Sequence, residues 1–325
     1  MIPNLQSVAV LAAGAAFAIA HPVAAQGTFV AGPPLGVTQG DQFVPMSDNA
    51  KVYGGIVNTE SCIYDETRGL IIAPARGVNQ NQVPNDAFVA LINPDGSVHT
   101  PKWIGLTRDG LVLNHPLGSD IAGGKLILAD RDGGTSDTDP SISVLRMFDI
   151  ATGAPAGEIR TEDSTGFNDI AVAADGTIYA SQTGAEGEPD SWRIYEVSPE
   201  GASTVLIQGE PLERPNGVAI DNDGNIVVVM IGDNTVRTFS PAGELLGTEE
   251  AVQPGNDGLV IMPDGTKYVS SVRQGGISRI RPGEPAELIA SGIPSAASMC
   301  YDAGANQLVI PMNPNNGLTF VKIPK

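Results

Sequence analysis

The sequence predicts an all-β fold, a six-bladed β-propeller with four-stranded blades around a central channel, and three observations carry that prediction. A polar residue, an apolar strand, an Asp-Gly turn and a second apolar strand recur in that order over Asn168 to Ser181, Asn216 to Val229 and Asn256 to Val269. Aligned on the start of that segment, six units begin at Glu60, Leu117, Asn168, Asn216, Asp257 and Ala297, spaced 57, 51, 48, 41 and 40 residues apart. Periods in this range belong to propellers. No stretch carries a sustained apolar stripe of helical period, whereas apolar and β-branched runs alternate with Asp-Gly, Asn-Gly and Pro-Gly turns.

The elements follow in order. Residues 1–25 hold no Asp, Glu, Lys or Arg, run apolar from Val8 to Ala20 and end in Val23, Ala24 and Ala25. That is the pattern of a secretory signal peptide with a small-residue cleavage site, so residues 26–325 are expected to form a single propeller domain, periplasmic or secreted. The apolar run is shorter than the roughly 20 residues of a spanning helix, and once it is removed no segment is expected to cross a membrane. The first unit, from Glu60, contains the turn Asn93 to Gly96, and Asn79 to Asn85 reads as a long loop. The second, from Leu117, carries a polar insertion at Arg131 to Ser143 that reads as another. The third, fourth and fifth turn at Asp175-Gly176, Asp223-Gly224 and Asp264-Gly265. The sixth has room for only three strands, so a segment between Gly27 and Val57 is expected to donate the fourth and close the ring, which leaves no long sheet edge exposed.

With 37 acidic against 18 basic residues the net charge is −19, which repels phosphate backbones and excludes nucleic acid as a partner. The expected partner is a small molecule. Two cysteines, Cys62 and Cys300, cannot make a disulfide-dense scaffold. They fall in the first strands of the first and last units, neighbours in a closed ring, where the alternatives are a bridge across the seam and, more commonly for such pairs, two buried thiols. There is no Gly-x-Ser-x-Gly segment, no phosphate-cradling glycine loop, and too little histidine for a serine triad.

The first strand of each propeller blade lines the channel, so equivalent positions in different units converge on the axis. These positions hold Glu60, Leu117, Asn168, Asn216, Asp257 and Ala297, of which four offer oxygen. Two carboxylates and two carboxamides form a hard site suited to one divalent cation, calcium first, with magnesium and manganese as alternatives. Zinc fits poorly, because beyond residue 25 only His99 and His115 occur and no histidine pair has ligand spacing. The competing reading is that Asn and Asp before Gly simply form turns. His115 lies two residues before a channel position and so shares its face, which makes it a candidate substrate contact, with rim packing as the alternative. Trp192 is a second candidate, alongside Trp103 and Tyr195, against the commoner fate of packing between blades.

Asn168-Asp169, Pro215-Asn216-Gly217 and Asn256-Asp257-Gly258, each followed by an Asp-Gly hairpin, resemble the senescence marker protein, gluconolactonase and luciferin-regenerating enzyme family, six-bladed propellers with a central metal. The resemblance covers about residues 55 to 325; the paraoxonase-like lactonases are similar more distantly. It implies that Glu60, Asn216 and Asp257 bind the metal, that Asn168 helps hold water or substrate, and that Asp257 is the general base. It implies a metal-dependent hydrolase that opens a lactone or related ester. The match departs at Glu60-Ser61-Cys62, where the family has Glu-Gly-Pro, and at Gly166, where some sugar-lactone members have Arg. At Leu117, where paraoxonase-like enzymes have the Gly that follows a proton-shuttling His, the chain also differs. A propeller that binds a small molecule or protein without catalysis, with a structural metal, is the alternative.

Overall fold

In a computed structural model, residues 35–54, 56–77, 84–105, 110–136 and 138–323 are described. The expected signal peptide lies outside these residues. Six four-stranded antiparallel sheets follow one another along the chain. Blade 1 holds β4 (Ile63–Asp65), β5 (Leu70–Ala75), β6 (Phe88–Ile92) and β7 (Val98–Gly105). Blade 2 holds β8 (Ser119–Ala122), β9 (Lys125–Asp132), β10 (Ile142–Asp149) and β11 (Pro155–Thr161). In blade 3 these are β12 (Ile170–Val172), β13 (Ile178–Gln182), β14 (Arg193–Val197) and β15 (Ser203–Gln208). Blade 4 has β16 (Pro215–Ile220), β17 (Ile226–Met230), β18 (Thr235–Phe239) and β19 (Leu245–Glu250). Blade 5 has β20 (Asn256–Ile261), β21 (Lys267–Ser271), β22 (Ile277–Ile280) and β23 (Glu287–Ala290).

The last blade is built from β24 (Cys300–Asp302), β25 (Gln307–Pro311) and β26 (Gly317–Lys322), and its outer edge is paired by β3 (Ala50–Gly54), with Leu318 opposite Tyr53 and Thr319 opposite Val52. The expected closure by an N-terminal strand is therefore present. The rest of that segment does something the repeat pattern did not announce. It forms a hairpin of β1 (Gly36–Gln39) and β2 (Gln42–Pro45), and this N-terminal part is tied to blade 5 and its exit by Gln39 Nε2 on the Gln274 carbonyl (2.9 Å) and Ser47 N on that of Ser291 (2.8 Å).

The core is a stack of layers between blades. The second strands are buried on both faces, which is why β17 reads as an uninterrupted Ile-Val-Val-Val-Met run. Its alternation still decides direction: Ile226, Val228 and Met230 pack with Tyr179 and Ile194 of blade 3, while Val227 and Val229 pack with Leu259 and Val269 of blade 5. At the seam, Phe88 and Ala90 of blade 1 meet Val309 and Phe320 of blade 6 in the same way. The hairpins use one repeated device, in which Asp175 and Asp264 accept the backbone N–H of the residue two positions on (2.9 Å each). The Arg131 to Ser143 insertion is shorter than the composition implied. Arg131 pairs with Ser143 and Asp132 with Ile142, so β9 and β10 extend into it and the loop is confined to the residues between.

Candidate metal centre

Each first strand touches the first strands of both neighbouring blades, which sets them around the axis. Specific contacts link them at the predicted channel positions. Ser61 Oγ donates to the Leu117 carbonyl, Gly118 N to that of Asn168 (2.7 Å), Ser181 Oγ to that of Asn216, and Ser270 Oγ to that of Ala297 (2.9 Å). Between blades 4 and 5 the link is steric: a Cβ on Gly217 would lie 2.2 Å from the Asp257 carbonyl oxygen. A Cβ on Gly258 would lie 2.6 Å from Met299 N, and one on Gly118 2.5 Å from the Asp169 Cα. None of these three glycines has a positive φ. They are therefore not turn formers, and the turn reading of Asn-Gly and Asp-Gly here gives way to another: glycine follows the polar residue because the next strand's backbone occupies the space of a side chain.

The polar residues sit on irregularities. In β16 the register slips between Pro215 and Val218, and in β20 between Asn256 and Leu259, so Asn216 and Asp257 each occupy a β-bulge. Blade 1 shows the same slip between the Thr59–Ala75 bridge and the Ile63–Ile72 pair, and Glu60 lies inside it. A bulge interrupts alternation and re-aims a side chain, here at the same phase in successive blades.

What these side chains meet is the informative part. Glu60, Asn216 and Asp257 are 3, 2 and 4 % exposed, and Asn168 is half-buried. Glu60 Oε2, Asn168 Oδ1, Asn216 Oδ1 and Asp257 Oδ1 are all shut off from solvent without a hydrogen-bond partner. An unpartnered buried polar atom costs on the order of 1–3 kcal/mol, so four at one repeat phase are a strong departure from how interiors are built. Among the described residues no three His, Cys, Asp or Glu side chains converge as a metal cluster. The donor set is instead mixed, carboxylate and carboxamide, and it fits a hard divalent cation.

Burial pushes the Glu60 carboxyl up to about 7, with Arg76 pulling the other way. Asp257 is raised well above the usual range, first by burial and then by Glu60 and Asp169, again opposed by Arg76. Asp169, whose Oδ2 accepts Val218 N (3.1 Å), is pushed up to about 8 by burial and by Glu60. The centre is thus a place where negative charge is expensive until a cation enters.

The sequence alone did not single out several neighbours. Arg76 reaches Asn58 Oδ1 through Nη2 (3.0 Å), the Asn58 carbonyl through Nε (3.3 Å), and also Asn313. Arg76 stands sixteen residues after Glu60, as Arg273 stands after Asp257, so a phase signal existed for it as well. Asn256 is 1 % exposed with neither end of its amide bonded. The inter-blade serines Ser181 and Ser270 do stand at matching phase, thirteen residues after Asn168 and Asp257, and that signal was available.

His115 is buried, and its backbone N–H donates to Asp130 Oδ1, the carboxylate that also binds Arg146 Nε at 2.6 Å. Trp192 is 4 % exposed in the layer between blades 3 and 4, with Nε1 on the Ala185 carbonyl (2.8 Å). Tyr195 is fully buried against Phe167, and Trp103 carries the Arg68 guanidinium on its face at 4.3 Å. The cysteines do not follow the commoner alternative of free thiols: Cys62 and Cys300 form a disulfide with a Cα separation of 5.5 Å, because ring closure brings β4 and β24 side by side.

The pattern of the SMP-30/gluconolactonase/LRE-like region matches residues 117–311, well over half of the chain. No curated protein matches it. Among solved structures, a gluconolactonase from Xanthomonas campestris is 17 % identical, covering 91 % of this chain and 99 % of its own, with a TM-score of 0.58. Virginiamycin B lyase from Staphylococcus aureus is 12 % identical over 85 % of this chain and 99 % of its own, at 0.57. At these identities the likeness is one of fold.

Proposed function

The chain belongs to the SMP-30/gluconolactonase/LRE-like family, and from that premise we propose that it is a hydrolase that opens a lactone or related ester with the help of one divalent cation, calcium by its donor set. The observation that carries the reading is the set of four buried, unpartnered oxygens of Glu60, Asn168, Asn216 and Asp257. A cation bound there supplies polarisation of a carbonyl and acidification of water.

The chain's own groups do the rest. Glu60, Asn216 and Asp257 would hold the ion, with Asn168 beside them. Asn168 presents an amide that orients the carbonyl oxygen or the attacking water. Asp257, while a ligand, takes the proton through its carboxylate as water oxygen bonds to the carbonyl carbon, and returns it to the ring oxygen as that C–O bond breaks, leaving a hydroxy acid. Trp192 is given no substrate contact, since its side chain is packed between blades with Nε1 on the Ala185 carbonyl. Export to the periplasm or the outside is supported by the N-terminal sequence and by the Cys62–Cys300 bridge, which persists in oxidising compartments.

The test is hydrolysis of a panel of lactones and aryl esters by protein stripped with chelator and resupplied with calcium, beside Asp257→Ala. Turnover that needs the ion and falls about 10²–10⁴-fold in the variant is expected. Calcium binding with no turnover across the panel would replace this reading with a binding propeller.

A further inference from the structure

The residue two places before the channel position has a backbone conformation that four blades share. Asn58, Arg214, Gly255 and Ser295 hold that place in blades 1, 4, 5 and 6, with φ of +50°, +57°, +79° and +50°. Left-handed backbone suits glycine and is tolerated by asparagine, but it costs a residue with a long side chain, and the proline after Arg214 favours extended backbone there. Arg214 is the exception in the set. Strain of this kind persists where the surroundings over-determine it, and it gathers at ligand sites.

The surroundings of Arg214 do hold its backbone. Ile231 N donates to the Arg214 carbonyl (3.0 Å), and Thr183 Oγ1 of blade 3 donates to that of Pro215 (2.8 Å). The guanidinium is less committed. Its Nε is buried without a partner, and Nη1 meets one carboxylate at 3.4 Å, that of Glu186, which is 84 % exposed. An ion pair so open to water holds little.

Blade 5 brings a second guanidinium to the same level by another route. Arg273 follows the second strand β21, and a Cβ on Gly255 would lie 2.6 Å from its Cγ and 2.7 Å from its Cδ. The stem therefore runs inward, from the second strand across the entry of the first. Among the described residues Arg273 makes no hydrogen bond or ion pair, and Asp233, whose carbonyl accepts Gly255 N (3.0 Å), spends its carboxylate on Thr235 and Arg237. The blades concerned are adjacent, since β16 and β20 touch at Gly217 and the Asp257 carbonyl. Arg214 stands two residues, at most about 7 Å, from Asn216, and Gly255 beneath the Arg273 stem is as close to Asp257.

We propose that Arg214 and Arg273 form an oxyanion-binding rim at the mouth of the channel, so that the substrate carries an anionic arm, carboxylate or phosphate, directed at blades 4 and 5. This rests on the hydrolase reading and narrows its substrate class. The arginine fork offers paired donors to such a group, and in a chain of net charge −19 a local pair of cations is what lets an anion approach.

On calcium-loaded full chain, calorimetry and turnover are run with 5-(hydroxymethyl)dihydrofuran-2-one, with its phosphate ester and with 5-oxotetrahydrofuran-2-carboxylate. One of the two anions is expected to bind about tenfold or more tighter than the neutral alcohol, and which one it is identifies the arm. Arg214→Gly removes the guanidinium and suits the backbone. It is expected to weaken that anion about 10–100-fold and to lower the anion-to-alcohol ratio of kcat/KM in step, while its urea midpoint stays near the parent's. Arg273→Gln acts in the same direction, and Arg214→Lys less than Arg214→Gly. A lower midpoint with an unchanged ratio in Arg214→Gly marks a packing role and overturns the rim, as does a parent that binds neither anion more tightly than the alcohol; turnover of the lactones then leaves the hydrolase standing. Arg214-dependent binding of an anion with no turnover of any of these lactones keeps the rim and overturns the hydrolase.

Discussion

Asp257 is a buried carboxyl and Asp120 a half-buried one, and they differ in what their oxygens meet. Asp257 Oδ1 has no partner, whereas Asp120 accepts the backbone N–H groups of Val172 and Ile121 at 2.7 Å each. Burial pushes Asp120 up to about 6, against those two donors. A carboxyl whose folded pKa exceeds its ordinary value near 3.8 contributes stability that is complete below that value and is lost as pH rises through about 6. Asp120→Asn is therefore expected to flatten the fall in unfolding free energy between about pH 4 and pH 6, read from urea titrations at each pH; an unchanged slope would show that Asp120 is not the group responsible. At the centre itself, the four oxygens were legible because repeat phase marks them. Arg76 was not, although Arg273 stands at the same distance after Asp257, because its place is set by Asn58 and Asn313, the latter 237 residues away.

The first strands show the same division at the scale of elements. Their spacing was readable from the polar residue and the Asp-Gly turn behind it. The bulges that aim Asn216 and Asp257 were not, since each falls on the residues just ahead of the apolar run of β16 or β20, where there is no alternation for it to interrupt. Nor was the reason for the glycines: they read as turns, and the fold uses them for contact between strands. Gly217→Ala puts a methyl carbon 2.2 Å from the Asp257 carbonyl, where backbone rather than a flexible side chain must move. We expect it to lower unfolding free energy by about 1–3 kcal/mol in chemical denaturation. It should also weaken cation binding, because the displaced strand is the one that carries Asp257. Gly247→Ala, in the outer strand β19 with no atom within 4 Å of the added carbon, serves as the control and should be close to neutral.

For the whole molecule, the question is how a ring of blades is kept shut. Two devices meet at the seam: β3 pairs with β26, and Cys62–Cys300 closes a loop of 238 residues. The first was predictable from counting strands, while the second depended on whether two first strands come within bridging distance, which only closure decides. Replacing both cysteines by serine is expected to lower stability by about 2–5 kcal/mol by lifting the constraint on the unfolded chain, and reducing agent should reproduce the loss in the parent protein and not in the variant. The hairpin of β1 and β2 lies outside this scheme, and the bonds of Gln39 to Gln274 and of Ser47, just past the hairpin, to Ser291 place this segment on blade 5 and its exit. A bound cation should add its own restraint, raising the melting temperature with concentration, by an amount equivalent to about 2.7 kcal/mol at a hundred times its Kd.

The central claim is that the four buried oxygens of Glu60, Asn168, Asn216 and Asp257 hold one divalent cation, and calcium titration by calorimetry on chelator-stripped protein tests it most directly. One site per chain is predicted, with affinity falling at least about 100-fold in Asn216→Ala and in Asp257→Ala while both variants keep the parent's far-ultraviolet circular dichroism. Calcium binding of parental strength in both variants would contradict the account, as would no binding by the parent.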